Sequence, residues 1–208
     1  MRRCVIVGGA AIGDYGRVRA ALRQDDYLIY CDSGLRHLEA LGMPPALVVG
    51  DFDSHADPRL PVETIVLPRE KDDTDTFFAA REALRRGFTE ILLLGAAGQR
   101  LDHTLGNVAA LLWLQKNGAH ALLLDDYAEM EIVGGEPASV GSRFPYFSLL
   151  AVDGPASGIC VEGAKFPLRD ASLSFATSLG VSNEPLPGQT ARITVGCGRL
   201  LLLRVFAG

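Results

Sequence analysis

Residues 74–94 read TDTFFAAREALRRGFTEILLL, and this stretch predicts a helix followed by a buried strand. Phenylalanines, alanines and a leucine form the apolar side of the segment 74–86, basic residues occupy its last turn, and Gly87 suits the position after a helix. The run at 91–94 is apolar throughout instead of alternating, which is typical of a strand covered on both faces in a parallel sheet. One helix–strand unit of an α/β fold is therefore expected here.

The same alternation extends over the first 130 residues. Further apolar strands are expected at 4–7, 28–31, 47–50, 64–67 and 121–124, and further helices at 17–23, 35–41 and 104–116. Strands that alternate with helices indicate an α/β layer with a doubly wound, mostly parallel sheet.

The pattern changes after residue 130. Helical periodicity fades, and Gly, Pro and Ser separate short strands expected at 143–152, 159–162, 172–175, 191–195 and 200–205. Short strands with frequent turn residues predict a small all-β sandwich or barrel. We therefore expect two domains, 1–130 and 131–208, joined near residues 129–136.

Charge and composition exclude several classes of protein. The 208 residues carry a net charge of −5, and 13 of the 15 aspartates lie in the first 130 residues. This balance argues against nonspecific nucleic-acid binding, which needs cations to neutralise phosphates. No apolar run approaches the roughly 18–20 residues that cross a bilayer. The four cysteines are far apart and form no CxxC pair, so reduced thiols and a cytoplasmic location are expected.

Aspartates follow the predicted strands at the edge where doubly wound sheets bind ligands. Asp32 ends the second strand, and Asp51 and Asp53 end the third. If that last segment is extended, residues two apart point to the same side, so both of its carboxylates face one site. Asp72 and Asp75 follow the fourth strand and are three residues apart, so they share one face of a helix.

Each of these features has a simpler explanation. Asp72 and Asp75 resemble a capping pair at a helix start, and residues 51–54 resemble a polar turn. Asp32 before Ser-Gly is compatible with an ordinary turn, and a lone His103 is compatible with a structural hydrogen bond.

Convergence of the aspartates favours a cation. Two carboxylates about 4 Å apart repel by roughly 4 kcal/mol at an effective dielectric constant of about 20. Oxygen ligands without a His or Cys cluster favour a hard ion, and Mg²⁺ that bridges carboxylates to a polyphosphate is a common arrangement.

The segment after the fifth strand suits phosphate. Gly95 and Gly98 can expose backbone N–H groups, and Arg100 and Lys71 add positive charge. The P-loop motif GxxxxGK[ST] is absent. Chemistry on a magnesium nucleotide follows as a hypothesis, and the acceptor stays open.

Three ordered motifs carry a family resemblance. They are GDFDS at 50–54, KDDTD at 71–75 and GQRLDH at 98–103, the last followed by Asn107. Together with GAKFPL at 163–168 and SNE at 182–184, they resemble the thiamine pyrophosphokinase family. The resemblance implies an α/β nucleotide domain followed by a small β-sandwich. It also implies a homodimer whose thiamine pocket forms where one subunit's α/β domain meets the other's β domain. From charge and hydropathy, no nucleic-acid or membrane partner is expected.

The resemblance implies an activity and a set of site residues. The enzyme would transfer diphosphate from ATP to the hydroxyethyl group of thiamine, giving thiamine diphosphate and AMP, with Mg²⁺ as cofactor. The implied metal ligands are Asp51, Asp53, Asp72 and Asp75, which are catalytic together with Arg100. The implied ATP-binding residues are Asp32, Lys71, Thr74, Gly95, Gly98, Arg100, Asp102, His103 and Asn107, and the implied thiamine-binding residues are Ser182 and Asn183.

One loop departs from the family pattern, and the sequence does not identify the aromatic residue that covers thiamine. The loop after the second strand is usually Asp-Gly-Gly in the family, whereas Ser33 stands at its second position here. The aromatic group that covers thiamine is also open: Trp113 suits core packing, and Phe166 and Phe175 suit either the thiamine site or a sandwich core. A related diphosphokinase acting on a pterin-type alcohol and a nonenzymatic sensor of magnesium nucleotides are the alternative functions.

Overall fold

The computed structural model describes residues 2–52, 60–70, 72–98 and 100–207. Two compact units divide the chain, Met1–Asp126 and Tyr127–Gly208. The first unit contains β1 (Cys4–Val7), α1 (Tyr15–Ala21), β2 (Tyr27–Cys31), a 3-10 helix (Asp32–His37), α2 (Leu38–Leu41), β3 (Leu47–Gly50), β4 (Glu63–Val66), α3 (Asp75–Arg85), β5 (Glu90–Leu94), α4 (Leu101–Lys116) and β6 (His120–Leu124). The second contains β7 (Ala128–Val133), β8 (Ala138–Gly141), β9 (Tyr146–Ala151), β10 (Ala156–Glu162), β11 (Leu168–Leu173), β12 (Thr190–Thr194) and β13 (Leu200–Val205).

A parallel sheet organises the first unit. Its strands lie in the order β4-β3-β2-β1-β5-β6, and every neighbouring pair is parallel. The chain builds outward from β1 to β4 and then returns to β5 on the other side of β1. This reversal creates a crevice at the carboxyl ends of β1 and β5, which is the usual ligand site of a doubly wound sheet. The α/β prediction is confirmed.

The two ends of helix α3 are determined by the local sequence. The side chain of Thr74 accepts a hydrogen bond from the Phe77 N–H and caps the helix. Gly87 follows the helix at φ +87°, a left-handed conformation that glycine adopts without steric cost. The alternative reading of Asp72 and Asp75 as the capping pair is therefore wrong, because the hydroxyl between them occupies the cap position.

The segment after β2 departs from its prediction. A single helix was expected at 35–41, but a 3-10 helix begins at Asp32 and only four residues, Leu38–Leu41, are α-helical. Gly34 lies so close to β1 that a Cβ atom there would stand 2.1 Å from the Val7 carbonyl oxygen. The tighter 3-10 winding accommodates a chain that turns directly against the neighbouring strand.

The second unit is a β-sandwich, as expected. Strand β13 pairs antiparallel with β7 and β9, and a second antiparallel sheet has the order β11-β10-β12-β8. Both sheets supply buried side chains to one core, including Val140, Phe147, Val161 and Leu200.

Some elements of the second unit were not predicted. Strands β7 and β8 were missed, and β7 occupies part of the segment 129–136, where the join between domains was expected. Strand β11 begins four residues before the predicted start at 172. Among the described residues, no helix has both the length and the apolar character needed to span a bilayer.

Candidate active site

A cavity of about 770 Å³ lies in the first unit at the carboxyl edge of the parallel sheet. Its walls come from the segments that follow β1, β2, β3, β4 and β5 and from the first turns of α3 and α4. The residues that line it are Gly9, Ala10, Ala11, Cys31, Asp32, Ser33, Arg36, Asp51, Arg69, Asp72, Asp73, Thr74, Asp75, Thr76, Gly95, Ala96, Gly98, Arg100, His103, Thr104 and Asn107.

Three carboxylates converge in this cavity. Asp32, Asp51 and Asp75 each offer an oxygen atom, and these atoms all lie within 4.8 Å of one another. Asp32 is only 3% exposed. Glycine at position 50 permits the approach, because a Cβ atom there would stand 2.6 Å from the Asp32 Cβ. A set of carboxylate oxygens at this spacing fits a hard divalent cation such as Mg²⁺.

The predicted metal ligands are only partly brought together. Asp51 and Asp75 belong to the group, and Asp32, expected beside ATP, joins them. Asp72 is exposed on the cavity wall and stands outside this group, and Asp53 lies outside the described residues. The expected extended geometry of this loop is wrong at Phe52, whose φ is +53°.

Close backbone packing holds the floor of the cavity. Gly95 has φ +56°, and a Cβ atom there would stand 2.5 Å from the Gly8 carbonyl oxygen. The Gly8 N–H donates to the Leu94 carbonyl at 2.8 Å, and the Ala10 N–H donates to the Gly95 carbonyl at 2.8 Å. The turns after β1 and β5 are therefore fastened to each other.

Helix α4 holds the glycine turn from its other side. The buried Asn107 donates its Nδ2 to the Ala96 carbonyl oxygen at 2.6 Å. The Gly98 N–H donates to the Thr104 hydroxyl at 3.1 Å. Asn107, expected to contact ATP, lines the cavity, and its amide nitrogen fixes the turn on which such a ligand would rest.

Arginines supply the positive charge of the cavity. Arg36, Arg69 and Arg100 line it. Arg100 forms a two-pronged ion pair with Asp102 at 2.9 and 2.6 Å, and this contact holds the pKa of the Asp102 carboxyl well below its usual range. Asp102, expected to bind ATP, is exposed and does not line the cavity.

Some of the residues that line the cavity were predicted from the sequence, and others were not. Thr74, Gly95, Gly98, Arg100 and His103 line the cavity as expected, whereas Lys71 lies outside the described residues. The missed residues include Arg36, Arg69 and Thr76. Arg69 had a usable signal, since it is a second basic residue in the loop that carries the KDDTD motif.

A buried histidine fixes the loop after β1. His37 is 2% exposed, its Nε2 lies 2.9 Å from the Ala10 carbonyl oxygen, and its Nδ1 lies 2.7 Å from the Tyr15 hydroxyl. The neutral ring donates to the carbonyl and accepts from the hydroxyl. Burial lowers the pKa of His37, and the neighbouring Arg36 charge lowers it further, against the opposing effect of the Ala10 hydrogen bond.

His37 therefore gives the protein a pH-dependent stability. Because its pKa is lowered on folding, the unfolded chain takes up the proton first, and the stabilisation is lost as the pH falls below the ordinary value of about 6.5. Urea unfolding at pH 7.5, 6.5 and 5.5 should show the wild type losing more stability on acidification than His37→Gln. A stability difference between the two proteins that does not change with pH would contradict this role.

The second unit carries the residues expected near thiamine. Ser182 is exposed at φ +59°, and its N–H donates to the Ser148 hydroxyl at 3.0 Å. Asn183 is 7% exposed, and its side chain accepts from the Phe166 N–H at 3.0 Å and donates to the Phe166 carbonyl at 2.8 Å. The Asn183 amide thus fixes the loop that carries Phe166.

The candidate aromatic residues occupy different environments. Phe166 is 55% exposed and Phe175 is 81% exposed, so the reading of either as a sandwich-core residue is wrong. Trp113 in α4 is half-buried, its ring centroid lies 5.8 Å from that of Phe77, and the Arg81 guanidinium stands over both rings. Trp113 packs between helices of the first unit.

Comparisons with known proteins agree with this two-part architecture. Residues 18–123 match the family model of the thiamin pyrophosphokinase catalytic domain, and residues 137–200 match that of the thiamin pyrophosphokinase vitamin B1 binding domain. A thiamine pyrophosphokinase of Bacillus subtilis is 29% identical over 161 residues, which are 74% of this chain and 75% of that protein.

Solved structures show the same fold. The crystal structure of a thiamine pyrophosphokinase from Bacillus subtilis superimposes with a TM-score of 0.85 at 24% identity and covers 100% of both chains. A thiamin pyrophosphokinase from Geobacillus thermodenitrificans has a TM-score of 0.83 at 27% identity and covers 99% of this chain and 98% of its own.

Proposed function

The chain belongs to the thiamin pyrophosphokinase family, and from this premise we propose that it transfers diphosphate from ATP to thiamine, giving thiamine diphosphate and AMP. The single observation that carries the proposal is the convergence of Asp32, Asp51 and Asp75 in a cavity large enough for a nucleotide. In the reaction, the hydroxyethyl oxygen of thiamine attacks the β-phosphorus. The bond from this phosphorus to the α–β bridging oxygen breaks, AMP leaves with that oxygen, and the proton of the thiamine hydroxyl is released.

Mg²⁺ is the proposed cofactor, held by Asp32, Asp51 and Asp75, with Asp53 and Asp72 as further candidates. When bound, the ion neutralises charge on the diphosphate that is transferred. The protein contributes the fixed positions of its ligands: Asp32 is buried at the end of β2, and Asp75 is set by the first turn of α3. Preorganised carboxylates need little rearrangement before the reaction.

The arginines are the proposed partners of the phosphates. Arg36, Arg69 and Arg100 line the same cavity as the carboxylates, and Lys71 is a further basic residue of the KDDTD motif. Guanidinium groups bind phosphate oxygens through paired N–H donors. Thr74, His103 and Asn107 are further polar side chains proposed to contact the nucleotide, and Gly95 and Gly98 let its phosphates approach the backbone.

The thiamine site is proposed to involve the second unit. Ser182 presents an exposed hydroxyl, whereas Asn183 acts through the Phe166 loop that its amide holds. Thiamine is a cation, so an acidic site also attracts it electrostatically. A homodimer with the thiamine pocket between subunits and a cytoplasmic location complete the proposal.

Product analysis with alternative acceptors tests the proposed function. Purified protein with Mg²⁺ and ATP should release AMP when thiamine is added, and a pterin-type alcohol should give no AMP above background. Addition of EDTA should stop the reaction, and excess Mg²⁺ should restore it. Nucleotide binding without thiamine-dependent AMP release would instead support a sensor.

Replacing Ser182 by Ala is expected to weaken thiamine binding selectively. Loss of one hydrogen bond between neutral groups, about 0.5–1.5 kcal/mol, raises KM for thiamine by roughly 2- to 10-fold and leaves KM for ATP unchanged. Steady-state kinetics check the prediction, with Ser139→Ala on the exposed side of β8 as the matched control. An unchanged KM for thiamine would remove the Ser182 hydroxyl from the acceptor site.

A further inference from the structure

Ser33 is a cavity residue whose hydroxyl has no assigned role. It follows Asp32 directly, lines the cavity and is half-buried. Its carbonyl oxygen accepts from Arg36 Nε at 3.1 Å. Within residues 2–52, 60–70, 72–98 and 100–207, no hydrogen-bond partner is found for the Ser33 hydroxyl, which is therefore able to bind a ligand.

The loop after β1 makes room for this side chain. A Cβ atom on Gly9 would stand 1.8 Å from the Ser33 Oγ and 2.5 Å from its Cβ. Such distances are far below van der Waals contact, so Ser33 keeps its observed position only because residue 9 is glycine. Gly9 is not among the glycines with positive φ, and the requirement is thus for space rather than for backbone conformation.

The surroundings of Ser33 define the chemistry of its partner. The adjacent Asp32 belongs to the carboxylate group, and ionised carboxylates only accept hydrogen bonds. A cation held there would bring phosphate oxygens beside Ser33, where the hydroxyl is a neutral donor. We propose that the Ser33 hydroxyl, whose oxygen occupies the space that Gly9 leaves free, donates a hydrogen bond to a phosphate oxygen of the bound nucleotide. This inference rests on the proposed function for the identity of the nucleotide.

Binding of a non-hydrolysable ATP analogue with Mg²⁺ tests the inference by calorimetry. Ser33→Ala keeps the Cβ atom that packs on Gly9 and removes only the hydroxyl, so affinity should fall about tenfold while the melting temperature and KM for thiamine stay unchanged. Ser33→Gly should show a similar loss. Affinity of Ser33→Ala within twofold of the wild type would overturn the proposal.

A double-mutant cycle tests the steric pairing. Gly9→Ala alone should weaken nucleotide binding and lower the melting temperature, because its new methyl group overlaps Ser33 Oγ. In Gly9→Ala/Ser33→Gly the overlapping atoms are gone, so the melting temperature should recover. Additive losses in the double variant would contradict the pairing.

The design separates failure of the inference from failure of the proposed function. Nucleotide binding is measured without thiamine, so a wild type that binds the analogue but forms no thiamine diphosphate refutes the proposed function alone. The Ser33→Ala result then still decides the inference. A wild type that fails to bind the analogue overturns both.

Discussion

Asp32→Asn should lower kcat/KM for thiamine diphosphate formation by about 100- to 1,000-fold, the range seen when one preorganised electrostatic contact is lost. Asn has nearly the same shape as Asp but no charge, so the substitution weakens the hold of the carboxylate group on a divalent cation. The same change removes the repulsion of Asp32 by the other two carboxylates, whose oxygens lie within 4.8 Å of its own. The metal-free variant should therefore melt at the same temperature as the wild type or higher.

Two measurements distinguish this expectation from simple damage to the fold. Mg²⁺ with an ATP analogue should raise the melting temperature of the wild type but not that of Asp32→Asn. Asp25→Asn is the matched control, since Asp25 is exposed and does not line the cavity. Near-normal activity of a folded Asp32→Asn variant would exclude Asp32 from the metal site.

Of the substitutions proposed for this protein, Gly95→Ala should lower the free energy of unfolding most, by about 2–5 kcal/mol. The new methyl group meets two penalties: a left-handed backbone at φ +56°, and overlap with the Gly8 carbonyl oxygen at 2.5 Å. For a chain of this size each kcal/mol lowers the melting temperature by roughly 2–4 °C. Activity should also fall, because the turns after β1 and β5 would separate at the floor of the cavity.

Two further glycines separate the penalties. Gly118 has φ +82° with no atom within 4 Å of a built Cβ, so Gly118→Ala measures the backbone cost alone. Gly106 lies inside α4 with open space around it, and Gly106→Ala should stabilise the protein by about 0.5–1 kcal/mol. The prediction is contradicted if Gly95→Ala melts no lower than Gly118→Ala. In that case the turns after β1 and β5 would move apart without loss of stability.

Apolar runs and punctuating glycines made the parallel sheet predictable. Strands such as β1 and β3 contain only buried residues, and this pattern survives in the sequence because both faces are covered. Strand β7 was missed although its sequence, AEMEIV, alternates between apolar and polar residues over its first five positions, and five of its six residues are buried, Glu131 included. Its Glu131 is accommodated by an ion pair with Arg204 on β13, a partner far away in sequence.

The carboxylate group was only partly predictable, for a geometric reason. Motif position placed Asp51 and Asp75 at one sheet edge, but the inclusion of Asp32 depends on how closely β2 and β3 approach at Gly50. The orientation of the loop after β3 depends on the positive φ of Phe52, which alternation rules for extended chain do not anticipate.

Side-chain roles were the least predictable part of the site. Asn107 and Asn183 stand in family-like motifs, yet the amide of each is committed to a loop backbone in this structure. Sequence marks such residues as important without saying whether they touch a ligand or hold the loop that does. The space between Gly9 and Ser33 likewise follows from the approach of two loops that lie more than twenty residues apart.

Quantifying every product from ATP, Mg²⁺ and thiamine is the most direct test of diphosphate transfer at the carboxylate group. The wild type should form thiamine diphosphate and AMP in equal amounts, with neither thiamine monophosphate nor ADP, and Asp32→Asn should form almost none. Formation of ADP with thiamine monophosphate, or of AMP at the same rate without thiamine, would contradict the account.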